Sequence, residues 1–418
     1  MDNPVIRIQK YNPANFFDDL YHLCIALLPL LYVINFPGIN ISLGTVILIG
    51  FIPHSLMSIF KGIGRDNRIK VFFFLVFYIY LILRSDGNTK RIILCCAAFV
   101  LVYGQMKGAV NNAKIRKIIE TFALINVILL VLQVISYYGL HIRIQYIPRF
   151  LIYEEYQNSY VFREFSGLFR PSALFLEPSH FSQYCIFALI SALFPAEGKS
   201  PDIKKAIAIG AGCILTTSGM GIALTAGVFG WYAFLNRQRI DKKIVNILRL
   251  IPVLMIGLLI LSRTSFFQTA LQRIFSTVEG YNAIAGRTHN WDDAIGTMHG
   301  KLLWFGYGDS KTYGLYLTGL ADTIYKYGVT CVILEGICIL YLMIKKVDNY
   351  VWCCCVSLAI LFCFAHITNF VAQVFYFGIF IADANVPKLS KAAHIEGSIP
   401  FLTILGKNKA NEWRKEIG

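Results

Sequence analysis

Charge is scarce in this chain. Asp, Glu, Lys and Arg make up only 15% of its 418 residues, against roughly 25% in an average soluble domain. Hydrophobic residues make up 56%, and mean hydropathy is +0.58. That shortage excludes a disordered protein and an ordinary cytosolic enzyme. Cysteine is missing from the polar loops. All eleven cysteines fall inside apolar runs, which excludes a secreted disulfide scaffold. Cys353, Cys354 and Cys355 have no second Cys/His pair at ligand spacing, so they read as small, polarizable, lipid-buried residues. A signal-peptide pattern is lacking too. The stretch Asn15-Phe16-Phe17-Asp18-Asp19 is polar, and no small-residue cleavage site follows it. The first apolar run is therefore expected to be retained. No internal repeat and no low-complexity tract is present.

What the sequence does hold is a series of long apolar runs. A spanning helix needs ~20 mainly apolar residues. Candidate spans lie at about 20–36, 41–60, 69–84, 91–106, 117–139, 178–195, 203–217, 219–235, 246–262, 321–344 and 350–382. The last is too long for one helix. Its middle, Ala365-His366-Ile367-Thr368-Asn369, is polar enough for a turn. The expected fold is all-α: a polytopic transmembrane helix bundle of about 11–12 spans over residues 1–386, then a basic tail over 387–418.

The net charge is +15, from 39 Lys and Arg against 24 Asp and Glu. In a soluble protein this excess would suggest nucleic acid. Its distribution gives a simpler account. If the N-terminus is cytoplasmic, the inner segments collect Lys61, Arg65, Arg68 and Lys70, then Lys107, Lys114, Arg116 and Lys117, then Arg237, Arg239, Lys242 and Lys243. The positive-inside rule uses this asymmetry. Both termini are expected to be cytoplasmic, and no nucleic-acid partner is expected.

Two connections on the outer side are long, about 140–177 and 263–320. Loops of this length are usually functional or disordered, and these are rich in Tyr, Phe and Trp. In the second, Phe267, Leu271, Ile274, Phe275 and Val278 repeat at helical spacing, as do Trp291, Ile295, Met298 and Leu302. Each set predicts an amphipathic helix on the membrane face. The outer side should be poor in basic residues, yet the first loop holds Arg143, Arg149, Arg163 and Arg170, with no lysine. Arginine presents a planar fork that matches phosphate oxygens two at a time. Such a cluster suits an anionic, lipid-linked ligand. Interfacial arginines on lipid headgroups are the plainer reading, and the better one for Arg143, Arg149, Arg263 and Arg273.

Two constellations stand out. In Arg170-Pro171-Ser172 through Glu177-Pro178-Ser179-His180, Pro178 is placed as a first helical residue. The helix should aim its free N–H groups outward, a ready anion site. Glu177 and His180 are three apart, as one helical face requires, and could activate a hydroxyl beside Arg170. A capping Glu, a structural His and an interfacial Arg would explain the same residues. The second is Gly286-Arg287-Thr288-His289-Asn290-Trp291-Asp292-Asp293, followed by His299 and by Gly306-Tyr307-Gly308-Asp309. Thr288 could cap a helix with His289 and Asp293 on its polar face. The spacings match no metal motif. Gly306-Tyr307-Gly308 permits close backbone approach to a ligand.

These residues together resemble the O-antigen polymerase family, within a superfamily that includes O-antigen ligases. The resemblance is carried by Arg170-Pro171-Ser172, Glu177-Pro178-Ser179, the Thr217-Ser218-Gly219 turn, Gly286-Arg287 with Trp291, Gly306-Tyr307-Gly308, and Asp322 before Tyr327-Gly328. It implies a glycosyltransferase of the bacterial inner membrane with its active site on the outer face. A glycan on undecaprenyl pyrophosphate would be donor, a repeat unit on the same lipid acceptor. Metal independence, no cofactor and inversion are implied. So are partners such as a chain-length regulator and a flippase. Carried over, Arg163, Arg170 and Arg287 would bind the pyrophosphate, with Asp292 also contacting substrate. Glu177, His180 and Asp322 are the catalytic candidates. Ligases usually carry a His-Asn step near the late span. Here that region reads Leu317-Thr318-Gly319-Leu320-Ala321-Asp322, which argues against ligase. A flippase or secondary transporter would instead place charges or broken helices at mid-membrane. Glu335 is one of few candidates for that.

Overall fold

The computed structural model describes residues 13–36, 41–61, 68–157, 164–165, 168–195, 199–236, 290–311, 313–314, 317, 319–345, 349–364 and 370–381. The described chain is almost wholly helical. In order the helices are α1 (Pro13–Leu31), α2 (Leu43–Gly50), α3 (Ile52–Lys61), α4 (Arg68–Leu83), α5 (Thr89–Met106), α6 (Asn112–Leu140), α7 (Glu154–Gln157), α8 (Pro178–Leu193), α9 (Ile203–Leu215) and α10 (Gly219–Leu235). After 237–289 come α11 (Trp291–Gly296), α12 (Lys301–Phe305), α13 (Gly319–Lys345), α14 (Asn349–Phe364) and α15 (Phe370–Ile381). One two-residue hairpin, β1 (Glu164–Phe165) and β2 (Leu168–Phe169), interrupts the pattern.

Length and apolarity make Leu43–Lys61, Thr89–Met106, Asn112–Leu140 and Gly319–Tyr341 sufficient to cross a bilayer, and Val71–Leu83, Gly219–Leu235 and Asn349–Cys363 are shorter apolar helices. The run at 350–382 forms two helices, as its polar middle suggested. The candidate span at 246–262 and the tail at 387–418 lie outside the described residues, as does the periodic stretch 267–278.

On α6, Ile125, Ile128, Leu132 and Ile135 are exposed at helical spacing. An exposed aliphatic stripe of that length is unstable in water and at home against lipid. The chain is a multi-pass helical membrane protein.

At the centre stands α8. Every residue from Phe181 to Leu193 except Gln183 is buried, as expected for a helix apolar all round. It is wrapped by α6, α9, α10 and α14. Small residues let the backbones approach. A Cβ on Gly221 of α10 would lie 2.2 Å from Ser182 Oγ, and one on Gly212 of α9 would lie 2.7 Å from Val127. A second group joins α13 to α4, α12 and α14.

The connections gather at two ends, in the alternation that the span order requires. At one end Asn35 donates to the Leu151 carbonyl (2.8 Å), Tyr153 to Val33 (2.8 Å) and Asp309 to Arg84 (3.2 Å). At the other, Lys114 pairs with Asp18 (2.7 Å) and Asp19 (2.8 Å). There too the Arg116 guanidinium lies 3.3 Å over the Tyr350 ring and donates to the Phe194 carbonyl at 3.1 Å. Both long loops share the first end.

Gly221→Ala is expected to lower stability by about 1–3 kcal/mol through overpacking, read as a lower Tm of the detergent-solubilised protein. Adding Ser182→Gly, which removes the opposing atoms, should restore part of the loss. A Gly221→Ala protein with unchanged Tm would refute the close α8–α10 contact.

Candidate functional site

The segment from Phe169 to Leu176 does not stay outside the bundle. Phe169, Pro171, Ala173 and Phe175 are buried, while Arg170, Ser172 and Leu174 are half-buried. The segment is irregular rather than a strand, since the Phe175 N–H donates to the Ser172 carbonyl at 3.0 Å and closes a turn over Ala173 and Leu174. Its entry is fixed by Phe169, whose ring stacks on Tyr137 at 4.6 Å and whose N–H donates to the Tyr138 hydroxyl at 3.1 Å.

A non-helical segment inside an apolar bundle must find partners for its backbone N–H groups. Two side chains of α6 supply them. Gln133 Oε1 accepts from the Ser172 N–H at 3.2 Å and the Ala173 N–H at 2.9 Å. Its Nε2 donates to the Ile144 carbonyl at 3.1 Å, which ties in the start of the same long loop. Asn126 Oδ1 accepts from the Leu174 N–H at 3.3 Å, and its Nδ2 donates to the Phe122 carbonyl at 2.9 Å. Asn126 and Gln133 are two turns apart on one face and are 0% and 5% exposed. Ala173 takes a left-handed φ of 52° at the bend, a strained conformation for a non-glycine residue.

The clamp delivers the chain to the mouth of α8. Glu177 is the N-cap, with extended backbone (φ −138°, ψ 151°), and Pro178 is the first helical residue. The Glu177 side chain makes no capping bond to the helix N–H groups. Its carboxylate accepts from the Ser179 hydroxyl at 3.2 Å. His180 is exposed, and its N–H bonds the Glu177 carbonyl at 3.0 Å. The pair thus flanks the helix start. The Thr216-Thr217-Ser218 turn is buried against this mouth, with Thr216 Oγ1 3.1 Å from Ser182 Oγ. Ser218 caps α10 by accepting from Gly221 N–H at 3.4 Å.

The second constellation forms around α13. The expected helix through Trp291 and Leu302 is two short helices, α11 and α12, because Gly300 (φ 57°) breaks the run. Asp292 is exposed in the first turn of α11, which packs on α13. The N-cap of α11 is Asn290, whose side chain makes no capping bond. Thr288 and His289 lie outside the described residues, as do Arg163 and Arg287. Asp322 pairs with Lys326 one turn on, at 3.0 Å.

Gly306-Tyr307-Gly308 is approached closely, but by its own chain. The helical path of α13 breaks at Gly328 (φ 74°, ψ 174°). Tyr307 N–H donates to the Tyr325 carbonyl (2.8 Å) and Gly308 N–H to the Lys326 carbonyl (2.9 Å). A Cβ on Gly306 would lie 2.4 Å from Lys326 O, and one on Gly328 2.2 Å from Trp304 O. The break leaves α13 carbonyls without helical partners, and the loop satisfies them. The expectation of a ligand contact at these glycines is therefore corrected to a contact with α13.

Residues that the sequence did not single out, Arg84, Asp86 and Arg91, lock this loop together with Asp309 and Tyr327, which it did. Arg91 pairs with Asp309 at 2.5 Å and also donates to the Tyr327 hydroxyl, which donates to Asp309 at 2.6 Å. Arg84 donates to the Gly306 carbonyl at 2.9 Å. Asp86 accepts from the Ser310 N–H (3.0 Å) and hydroxyl (2.9 Å). Those bonds hold the Asp86 carboxyl below the usual carboxylate range, whereas burial pushes Asp309 up against the pull of Arg91. The only hint in the sequence was two arginines flanking a short connection, on a side that should be poor in basic residues.

Glu177 and His180 flank the start of α8, which lies beside α6, α9, α10 and α14, and Arg170 lies seven residues before Glu177 on the segment that α6 clamps. Asp292 and Asp322 sit on α11 and α13. Helix α14 packs on both α8 and α13.

Gln133→Met, which keeps the volume and removes the acceptor, is expected to cost about 1–3 kcal/mol for each orphaned N–H and to open the 170–176 segment to limited proteolysis. Wild-type cleavage and Tm would remove the clamp. Gly328→Ala should lower Tm and release the 306–311 segment to protease, since the φ is left-handed and the opposing atoms are backbone.

Comparison with known families bears on the first constellation. A family model described as WcaD colanic acid polymerase matches residues 92–265, somewhat less than half of the chain. No curated protein and no solved structure matches the chain significantly. The matched stretch begins in α5, takes in Asn126, Gln133, Arg170, Glu177, His180 and the Thr216–Ser218 turn, and ends before α11. Over residues 92–265 the chain is similar to the WcaD colanic acid polymerases, consistent with a polymerase family of the O-antigen and exopolysaccharide kind.

Proposed function

We propose that the chain is a glycosyltransferase that joins lipid-linked oligosaccharide repeat units into a surface polysaccharide. The donor is a growing glycan on undecaprenyl pyrophosphate, the acceptor a repeat unit on the same lipid. The reaction takes place at the outer face of the bacterial inner membrane, which is the loop-bearing end of the bundle, with both termini cytoplasmic. The observation that carries the reading is the Arg170–Glu177 segment. It carries an arginine, a carboxylate and an imidazole along the approach to α8 and its first turn, inside the stretch that is similar to a polysaccharide polymerase family.

The chemistry assigned to that mouth is as follows. An acceptor hydroxyl oxygen attacks the anomeric carbon of the donor sugar. The bond from that carbon to the pyrophosphate oxygen breaks, and its electron pair leaves with the pyrophosphate. The hydroxyl proton passes to a base, for which Glu177 is the first candidate and His180 and Asp322 the others. Attack opposite the leaving group inverts the anomeric centre. Negative charge grows on the pyrophosphate as it departs, and fixed cations facing it lower the barrier. Arg170, with Arg163 and Arg287, fills that role without a metal, and the N–H groups at the start of α8 add to it. Asp292 is assigned to sugar hydroxyls.

One observation favours a second reading, a flippase or transporter. Helix α13 is broken at Gly328, and Glu335 of the same helix is 2% exposed with one carboxylate oxygen unpartnered. Broken helices and buried acids mark transport sites. Here, however, the break is filled by Gly306–Gly308.

In a strain lacking the gene, single repeat units on the final acceptor are expected on a glycan gel. Full-length chains held on the lipid carrier would mean ligase, and units accumulating in the cytoplasm would mean flippase. Arg170→Ala restored to that strain should insert normally and yield only single units. Arg170→Lys should recover part of the polymer, because the charge remains and the bidentate fork is lost. Wild-type polymer length from Arg170→Ala would refute the pyrophosphate role.

A further inference from the structure

The break at Gly328 separates the first nine residues of α13 from the rest of the helix and turns them into a platform. Asp322, Tyr325 and Lys326 lie on one face of it, by their three- and four-residue spacing. The ring of Tyr325 meets Tyr307 at 4.7 Å and Tyr313 at 5.3 Å between centroids. All three tyrosines are half-exposed. Their hydroxyls make no hydrogen bond among the described residues. Core tyrosines behave differently. Tyr184 donates to the Ala26 carbonyl at 3.1 Å and Tyr327 to Asp309 at 2.6 Å. The cluster sits on a small core of Ala294, Leu317 and Ala321, against which Trp291 also packs.

A sugar ring has an apolar C–H face and a rim of hydroxyls. A group of half-exposed tyrosine rings covers the first, and a carboxylate beside an ammonium bonds the second. We propose that the platform is a saccharide-binding subsite. Tyr307, Tyr313 and Tyr325 receive the apolar face of a sugar, and Asp322 and Lys326 take its hydroxyls. The Arg91–Asp309–Tyr327 lock and the Gly306–Gly308 pairing hold the platform rigid, which lowers the ordering cost of binding. The ligand is the glycan part of the lipid-linked unit. In naming that ligand the inference rests on the polymerase reading.

The test uses the purified full-length protein in lipid nanodiscs. The probe is the lipid-free oligosaccharide released by mild acid from the producing strain's own surface polysaccharide. Binding is followed by tryptophan fluorescence, for which Trp291 is a local reporter. Wild type is expected to bind. Tyr313→Ala and Tyr325→Ala should each weaken binding by about tenfold, the worth of one ring contact. Tyr325→Phe should stay close to wild type, and Trp304→Ala, exposed on α12, serves as a surface control. Because Tyr313 lies in a loop, its variant keeps the test open if Tyr325→Ala fails to fold. Equal binding by wild type and Tyr313→Ala, or no binding by wild type, would overturn the subsite and leave the rings as interfacial anchors. The polymerase reading fails separately, on the glycan gel of the strain lacking the gene. Sugar binding lost in Tyr313→Ala would stand even then.

Discussion

Backbone N–H groups in an apolar surround must be paired, and the organisation of the loop-bearing end follows from that. Ser172, Ala173 and Leu174 belong to no helix, yet they lie inside the bundle. Leaving three N–H groups unmet there would cost several kcal/mol in all. Gln133 and Asn126 meet them. The same constraint governs the break in α13. Unwinding at Gly328 frees the Tyr325 and Lys326 carbonyls, and the N–H groups of Tyr307 and Gly308 take them up. In both places an irregular stretch of chain is admitted to the bundle because another element answers its polar groups.

Each device sets chemistry-bearing side chains on a rigid support. The clamp on α6 holds the segment that runs from Arg170 to Glu177 at the start of α8, a helix held on nearly all sides. The lock on α13 orients Asp322, Tyr325 and Lys326. A polymerase handling two lipid-linked substrates needs a place where a leaving pyrophosphate meets cations and a place where glycan is held. In the proposed function, the two constellations take those tasks, and α14 lies against the helices that carry both. Rigidity matters because positioning of reactants and fixed charge contribute most of the rate in such transfers.

Much of the helical plan was legible in the sequence. The apolar runs from 41–60 to 219–235 became helices with bounds close to the expected ones, and the polar run 365–369 separated two short helices. Pro178 marked the start of α8 because proline suits a first helical turn. Less could be seen of the sites. Glu177 and His180 were visible as a motif, but not that the Glu177 side chain escapes capping. Asn126 and Gln133 were not singled out, since nothing in their spacing names a partner 39 to 48 residues away. Arg84 and Arg91 were passed over for the same reason, and Asp309 was named without a partner. Their meaning lies in each other and in Tyr327.

What the amino-acid sequence determined by itself is the helical, membrane-crossing character and the alternation of ends. Both follow from local quantities, the length of an apolar run and the sign of the charges beside it. Only the tertiary structure decided that part of a long loop enters the bundle, that Gly306-Tyr307-Gly308 faces its own chain, and that α13 carries a separate platform. Those outcomes depend on hydrogen bonds between residues up to about 240 positions apart, and pairing at such separations is set by packing in three dimensions, which no local pattern encodes.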